Sequence, residues 1–440
     1  MTRTPALVAL LDGARAGEVH QDRNGRLQFI YADAWRRDRN SFPLSLSMPL
    51  TASEHAHNTI NAFLWGLLPD NARTLDLYGL RFGVSPGNAV ALLAHLGPDC
   101  AGSVQLARPD RADELIAGSR TGKAVDWLTT AEIAAELRTL REQGLPGAGG
   151  PPAGRFSLSG AQPKVALLEE GGRFGRPGGR APTNVILKPP SREFAGFAEN
   201  EHFCLELATA LGLGAVRSRV MRFGSEVAIV VSRFDRQRQG RAWRRVHQED
   251  ACQALGVMPT RKYQSEGGPG AREIVTLLRD GSDDAESDVA RFVAALGLNW
   301  IIAATDGHAK NYAFLHGRGR ACRLAPLYDI ASFLPYADAR LHRVKLAMKI
   351  GPEYLVRRIV RADWVAFAKS IGTPPALLVD RLAALSDEVG FAVHNVAGAA
   401  IEAGLDPGII NSLAARISVR ARDSANVLAH RGATASGNSL

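Results

Sequence analysis

No helix or strand can run through the stretch GLPGAGGPPAG at residues 144–154, because its prolines lack backbone donors and its glycines are costly to order. The run is expected to be a flexible boundary in the chain. With 440 residues, 46% hydrophobic and 22% charged, there is enough apolar material for more than one core, and two or three packed units are expected. Cys100, Cys204, Cys252 and Cys322 lie far apart with no CxxC pair. That spacing argues against a disulfide framework or a zinc site, and makes a reducing, cytoplasmic setting the default. The start MTRTPALVALLDG has no long apolar run, and no stretch reaches about 18 uninterrupted apolar residues, so neither a signal peptide nor a membrane span is expected. A formal charge of +9 favours anionic partners without choosing among them.

Residues 1–107 read as a small α+β unit. Short apolar runs break at Asp12-Gly13 and Asn24-Gly25, the chemistry of antiparallel hairpins, and helical spacing follows at Ile60, Phe63, Leu64 and Leu67. Residues 108–154 read as a linker with one helix, opened by Thr129 with Glu132 three positions on as a capping box. Residues 155–250 hold apolar strands bounded by breakers, with GGRFGRPGGRAPTN as a Gly-rich connection, and residues 251–428 are mostly helical. The small, polar residues 429–440 have nothing to bury and are expected to be disordered.

The chemistry concentrates in NWIIAATDGHAKNYAFLH, where an apolar helix ends abruptly in Asp306, Gly307, His308, Lys310 and Asn311. Asp306 and Asn311 have the spacing of the kinase loop H-R-D-x-x-x-x-N, in which the Asp accepts the substrate hydroxyl proton and the Asn binds metal. Asp329 follows in LAPLYDIAS; with Asn311 it offers the oxygens that Mg²⁺ on a triphosphate requires. Upstream, VILKPP ends an apolar strand with Lys188, an ammonium costly to bury without an anion. The next helix begins with Glu199 and Glu201, either of which could orient it, Glu201 being preferred. Earlier, FSLSGAQPK places Ser157, Ser159, Gly160, Gln162 and Lys164 in a turn able to offer N–H groups to phosphate. Each fragment alone also fits a plain role as turn, cap or strand end. Their order along the chain is that of a kinase.

Together FSLSGAQPK, TNVILKPP, NEHFCLELA, SRFDR, HQEDACQALG, NWIIAATDGHAKNY and LYDIAS resemble the successive signature segments of the HipA family of bacterial serine/threonine protein kinases, toxins of type II toxin–antitoxin systems. PLSLSMPL and FLWGLLPDN resemble those of its N-terminal domain. The resemblance implies an α+β, protein-kinase-like two-lobed fold with an N-terminal α+β subdomain and a mostly helical C-terminal lobe, using ATP and Mg²⁺. It makes Asp306 the catalytic base, Asn311 and Asp329 metal ligands, Lys188 the phosphate-pairing lysine and His308 a loop-shaping residue. Ser157, Ser159, Gly160, Ala161, Gln162 and Lys164 would form the phosphate loop, and backbone groups of Ser232, Arg233 and Phe234 would meet adenine. Autophosphorylation is implied at Ser157, with Ser159 as competitor, adding about −1.5 to −2 charge beside a triphosphate site. Pro163 and Ser232 stand where the family pattern has glutamates. Implied partners are a protein substrate of the aminoacyl-tRNA synthetase type and a HipB-like helix-turn-helix antitoxin, with DNA reached only through the antitoxin and no membrane. Two other readings stay open: an antitoxin-binding module with little kinase activity, and a phosphotransferase acting on a small molecule.

Overall fold

The computed structural model describes residues 6–117, 125–143, 160, 162–178, 181–190, 194–240 and 242–430. The first unit contains β1 (Leu7–Leu11), β2 (Ala14–Gln21), β3 (Leu27–Tyr31), α1 (Asp33–Arg37), β4 (Glu54–His55), α2 (His57–Gly66), α3 (Ala72–Phe82), α4 (Ala89–Leu96) and β5 (Gln105–Ala107). Its antiparallel sheet has the order β4-β3-β2-β1-β5. Asp12 and Gly13 both take positive φ, 50° and 82°, as a two-residue hairpin turn matched to strand twist demands. Leu7, Ala9 and Leu11 share a core with Phe63, Leu64 and Leu93, while Val8 and Leu10 face the other way. That second face is covered by α5 (Pro109–Ala117) through Ala112 and Leu115. The unit therefore extends ten residues past the boundary expected at 107.

The stretch expected to be a linker with one helix instead holds two helices and a strand: α5, β6 (Asp126–Leu128) and α6 (Thr130–Gln143). The expected capping box is present, with Thr129 N–H donating to Glu132 Oε2 at 2.8 Å and Glu132 N–H to Thr129 Oγ1 at 3.3 Å. Ile133, Ala134, Leu137 and Leu140 of α6 form one core with Val165, Leu167, Val185, Leu187, Ala228 and Val230. These come from β7 (Val165–Glu170), β9 (Val185–Lys188) and β11 (Glu226–Ser232), which with β8 (Arg173–Arg176), α7 (Phe197–Ala210) and β10 (Ser218–Phe223) make up the smaller lobe. Its sheet runs β10-β11-β9-β7-β8-β6, so the segment expected to be a Gly-rich connection supplies β8, and the expected linker supplies an edge strand and a covering helix. Apolar residues on β6 and α6 are too few to announce this by periodicity; their burial depends on strands that arrive later in the chain.

A hairpin of β12 (Arg236–Gln239) and β13 (Ala242–Arg245) leads to β14 (His247–Asp250) and α8 (Ala251–Ala254). Then come α9 (Ala271–Gly281), α10 (Ala285–Ile301), β15 (Ala313–His316), β16 (Cys322–Leu324), α11 (Leu334–Ala337), β17 (Lys345–Ile350), β18 (Glu353–Leu355), α12 (Arg361–Ser370), α13 (Pro375–Glu402) and α14 (Pro407–Ala429). Strand β14 pairs with β15, so it belongs to the helical lobe and not to the smaller one that was expected to run to residue 250. The largest core centres on α10, α13 and α14, with Phe292, Trp300, Leu382, Val389 and Leu413 fully or almost fully buried. The tail expected over 429–440 lies outside the described residues from 431 onward. No helix among the described residues is long and apolar enough to cross a membrane. The structure bears out the α+β, two-lobed architecture with its N-terminal subdomain.

Candidate functional site

Helix α10 is buried along its last turns and ends at Ala303, a non-glycine residue at φ 50°, where Ala304 N–H returns to Asn299 O at 2.8 Å. This left-handed closure satisfies carbonyls at the helix end and turns the chain sharply into Asp306. The loop is tied internally: His308 N–H donates to Asp306 O at 2.7 Å, Asn311 N–H to His308 O at 2.9 Å, and Asn311 Nδ2 to Asp306 O at 2.7 Å. Asp306 keeps its side chain 65% exposed and accepts a 2.7 Å hydrogen bond from Tyr263 Oη. Burial, reinforced by the Asp306 carboxylate, pushes the Tyr263 hydroxyl up, so it remains a donor at neutral pH. His308 is buried, with Nε2 3.7 Å from Asp306 Oδ1 and its ring edge-on to Tyr263. Burial lowers its pKa to about 4, so it is neutral and suited to packing the loop.

At the end of β9, Lys188 is buried between two carboxylates. Its ammonium donates to Glu201 Oε1 at 2.7 Å and to Asp329 Oδ1. Helix α7 places Glu201 inward, one turn below the Gly196 that opens it at φ 67°, whereas Glu199 lies in the first turn and is not the partner. Burial would raise the Asp329 carboxyl, but Lys188 and Lys164 more than offset it and hold it below the usual range. Glu201, buried more deeply, is pushed up by that burial, only partly countered by Lys188. Burial works against the charge of Lys188, but both carboxylates favour the ammonium and together outweigh it, so the net shift of Lys188 is upward. Asp329 sits at φ 53°, a left-handed conformation costly for a side-chain-bearing residue and the kind of strain found at working sites.

These groups line one cavity of about 430 Å³, together with Gly160, Gln162, Lys164, Ser232 and Phe234. Gln162 Nε2 ties its segment to Pro189 O, just past Lys188, at 3.2 Å. Gly160 takes φ 111°, and a Cβ there would stand 2.7 Å from Lys164 Nζ, so no other residue fits without displacing that lysine. The apolar wall is Ile186, Val216, Val231 and Leu327, with Phe234 and Tyr328 tilted together at 5.4 Å between centroids. Ser157, Ser159 and Ala161 lie outside the described residues. Arg233 also lines the cavity, while its N–H donates to Asn184 O and its guanidinium is buried against Asp235, Thr183 Oγ1 and Cys100 O. The N–H of Ser232 is likewise committed, to Arg217 O at 2.9 Å, which leaves its side chain at the cavity wall. Among the described residues no cluster of three or more His, Cys, Asp or Glu could hold a metal ion. A site of one carboxylate and one amide oxygen suits Mg²⁺ that takes its remaining ligands from phosphate and water.

Cavity residues that sequence reasoning left without a role include Lys310, Lys262, Tyr263 and Tyr328. Lys310, placed in the polar cluster but unassigned, is buried 3.1 Å from Asp70 Oδ1 and 3.5 Å from Asp250 Oδ2. Lys262 donates to Asp70 Oδ2 at 2.9 Å, Tyr263 grips Asp306, and Tyr328 Oη donates to Lys310 O at 2.6 Å. Lys262 and Asp70 are 192 positions apart, and no local pattern signals such a contact.

Residues 7–107 match the model of the HipA N-terminal domain and residues 156–393 that of the HipA-like C-terminal domain. The "Putative kinase Y4mE" of Sinorhizobium fredii is 36% identical over 412 residues, covering 93% of this chain and 96% of that protein. The serine/threonine-protein kinase toxin HipA of Shewanella oneidensis is 29% identical over 393 residues, 83% of each chain. A solved structure of the S. oneidensis toxin–antitoxin system, HipA with HipB and operator DNA, superposes with a TM-score of 0.82 at 24% identity, covering 96% of this chain and 98% of that one. With its C-terminal model spanning more than half of the residues, and a relative above 30% identity along nearly the whole length, the chain belongs to the HipA family.

Proposed function

We propose that the protein is a Mg-ATP-dependent serine/threonine protein kinase acting as a toxin. The observation that carries this reading is the buried Lys188 held between Glu201 and Asp329, in the same cavity as the exposed Asp306 carboxylate. A buried lysine with two carboxylates serves a triphosphate and its metal: one acid orients the ammonium, and the other can exchange it for Mg²⁺. Asp329 and Asn311 would hold the metal; the Asn311 nitrogen is already used on Asp306 O, which leaves the amide oxygen for a cation. Mg²⁺ would supply charge neutralisation between the terminal phosphates. The wall of Phe234, Tyr328, Ile186 and Val231 suits a purine face. Asp306, kept in place by Tyr263 and the Asn311 turn, would take the proton of an acceptor hydroxyl.

The substrate is a cytosolic protein of the aminoacyl-tRNA synthetase class, and the kinase switches itself off by phosphorylating Ser157. A HipB-like antitoxin binds it and connects it to DNA, as the S. oneidensis complex of HipA, HipB and operator DNA supports. Purified protein given labelled ATP and Mg²⁺ should incorporate phosphate, and Asp306→Asn should abolish incorporation. Labelling of the variant at the wild-type rate would remove Asp306 from the role of base.

A further inference from the structure

The segment FLWGLLPDN of the N-terminal unit has no part in the reaction described so far, yet its Gly66 lines the cavity and its last residues touch others that line it. Helix α2 is pressed onto α8 so closely that a Cβ at Gly66 would lie 2.5 Å from Gln253 Cγ, and Gln253 Nε2 donates to Phe63 O at 3.0 Å. This docking carries Pro69 and Asp70 to the phosphate-loop segment, where Pro69 forms a parallel bridge with Gly160 and Asp70 N–H donates to Gly160 O at 3.2 Å. The Asp70 carboxylate, 9% exposed, spans Lys262 and Lys310 of the catalytic lobe. Lys310 lies four residues after Asp306, and its carbonyl accepts from Tyr328, the neighbour of Asp329. The Lys262 carbonyl accepts from Ala309 N–H at 3.4 Å, and Lys262 precedes the Tyr263 that grips Asp306. Asp70 thus touches the loop of Gly160 and the loop of Asp306 directly, and through Lys310 it is linked to the turn of Asp329. Its charge also matters. Lys262 and Lys310 face Asp70 and Asp250, two ammoniums against two carboxylates; without Asp70 the surplus ammonium would sit beside the acids of the catalytic site.

We propose that Asp70 is a positioning residue of phosphoryl transfer, so that the N-terminal unit is a working part of the active site and not an appended binding module. The proposal rests on the kinase reading above. Its test uses the full chain and measures the rate of self-labelling against ATP concentration, which separates the maximal rate from the ATP concentration at half-maximum. A misplacement near 1 Å costs on the order of a hundredfold in rate. Asp70→Asn should lower the maximal rate by about ten- to a hundredfold and raise the half-maximal ATP concentration about tenfold, with a melting curve that remains cooperative. Asp70→Glu should recover part of both. Asp12→Asn, which breaks the exposed pair between the same unit and Arg244, should change neither. Should Asp70→Asn fail to fold, Lys262→Met leaves Asp70 in place, removes one of its two partners and should move both parameters the same way by about threefold.

Wild-type parameters in Asp70→Asn and Lys262→Met overturn the inference. So does a loss of rate that tracks a smaller folded fraction at unchanged ATP dependence, since that is a structural role alone. If the unsubstituted chain neither labels itself nor binds Mg-ATP by calorimetry, the kinase reading fails. If it labels itself and Asp70→Asn labels equally, only the positioning role fails.

Discussion

Two lysines in this molecule are buried in the same manner and do different things. Lys188, at the end of β9, lies between Glu201 and Asp329; Lys310, within the loop of Asp306 and Asn311, lies between Asp70 and Asp250. In each trio burial works to raise both carboxyls, and the one that is held low has a second lysine beside it: Lys164 joins Lys188 at Asp329 and Lys262 joins Lys310 at Asp70, whereas Glu201 and Asp250 are pushed up. The difference is what the trio joins. Asp329 is 31% exposed to the cavity, so the Lys188 trio can trade partners with a ligand. In the Lys310 trio no side chain exceeds 9% exposure, and it joins the N-terminal unit to the catalytic lobe. The same charge arrangement is an open site in one place and a closed joint in the other, and exposure of one carboxylate decides which.

The largest effect should separate them directly. Lys188→Met is expected to cut self-labelling by about a hundred- to a thousandfold, because it removes the charge aimed at phosphate. Lys310→Met is expected to show the opposite weighting, with a loss of about 3 kcal/mol in stability by urea unfolding and only about a tenfold fall in labelling. Adding Asp70→Asn to Lys310→Met should restore part of that stability by removing a stranded buried charge. A double variant less stable than Lys310→Met alone would break the comparison.

His308 is electrostatically linked to both neighbourhoods: Asp306, Lys262 and Asp70 all bear on its protonation. Burial lowers its pKa to about 4 and that of His247 to about 3. Below the unfolded value near 6.5 the unfolded chain therefore binds protons that the folded chain refuses. Stability should fall as the pH drops from about 6.5 toward 4, by up to about 1.4 kcal/mol per pH unit for each histidine. His247→Gln, which keeps a donor for Leu44 O, should flatten the curve of melting temperature against pH; an unchanged slope would exclude His247 as a source. Smallest, Thr129→Ala at the exposed start of α6 should cost about 1 kcal/mol by loss of the cap and leave labelling unaltered, since that helix touches neither trio.

The contrast also explains what could be read from the chain. Lys188 and Glu201 are 13 positions apart, one at a strand end and the other in the helix that follows, so strand-and-helix patterning brought them within reach on paper. Asp306 and Asn311 share a single loop. Asp329 stands out because an apolar approach leads to one carboxylate. Asp70 gave no such sign, since its partners belong to another unit and its own neighbours read as a helix end. The side chain of Arg233 was equally silent: Asp99 and Cys100 of the N-terminal unit draw its guanidinium into a buried network with Asp235 that no local pattern announces. The segments taken for linkers failed for a related reason. Both β6 and β8 are short edge or near-edge strands, defined by pairing and not by their own apolar period.

Sequence alone determined the family, the two-lobed order of strands and helices, and the side chains around Lys188 and the Asp306 loop. These depend on apolar periodicity, turn residues and short-range spacing, which the chain carries locally. Only tertiary structure decided that the N-terminal unit reaches the loop of Asp306 through Asp70 and Lys310, that the Arg233 guanidinium joins a buried network with Asp235, and that α6 covers the smaller lobe. Those outcomes are set by which buried charges find opposite charges, and by which sheet edges find strands, from parts of the chain far apart in sequence.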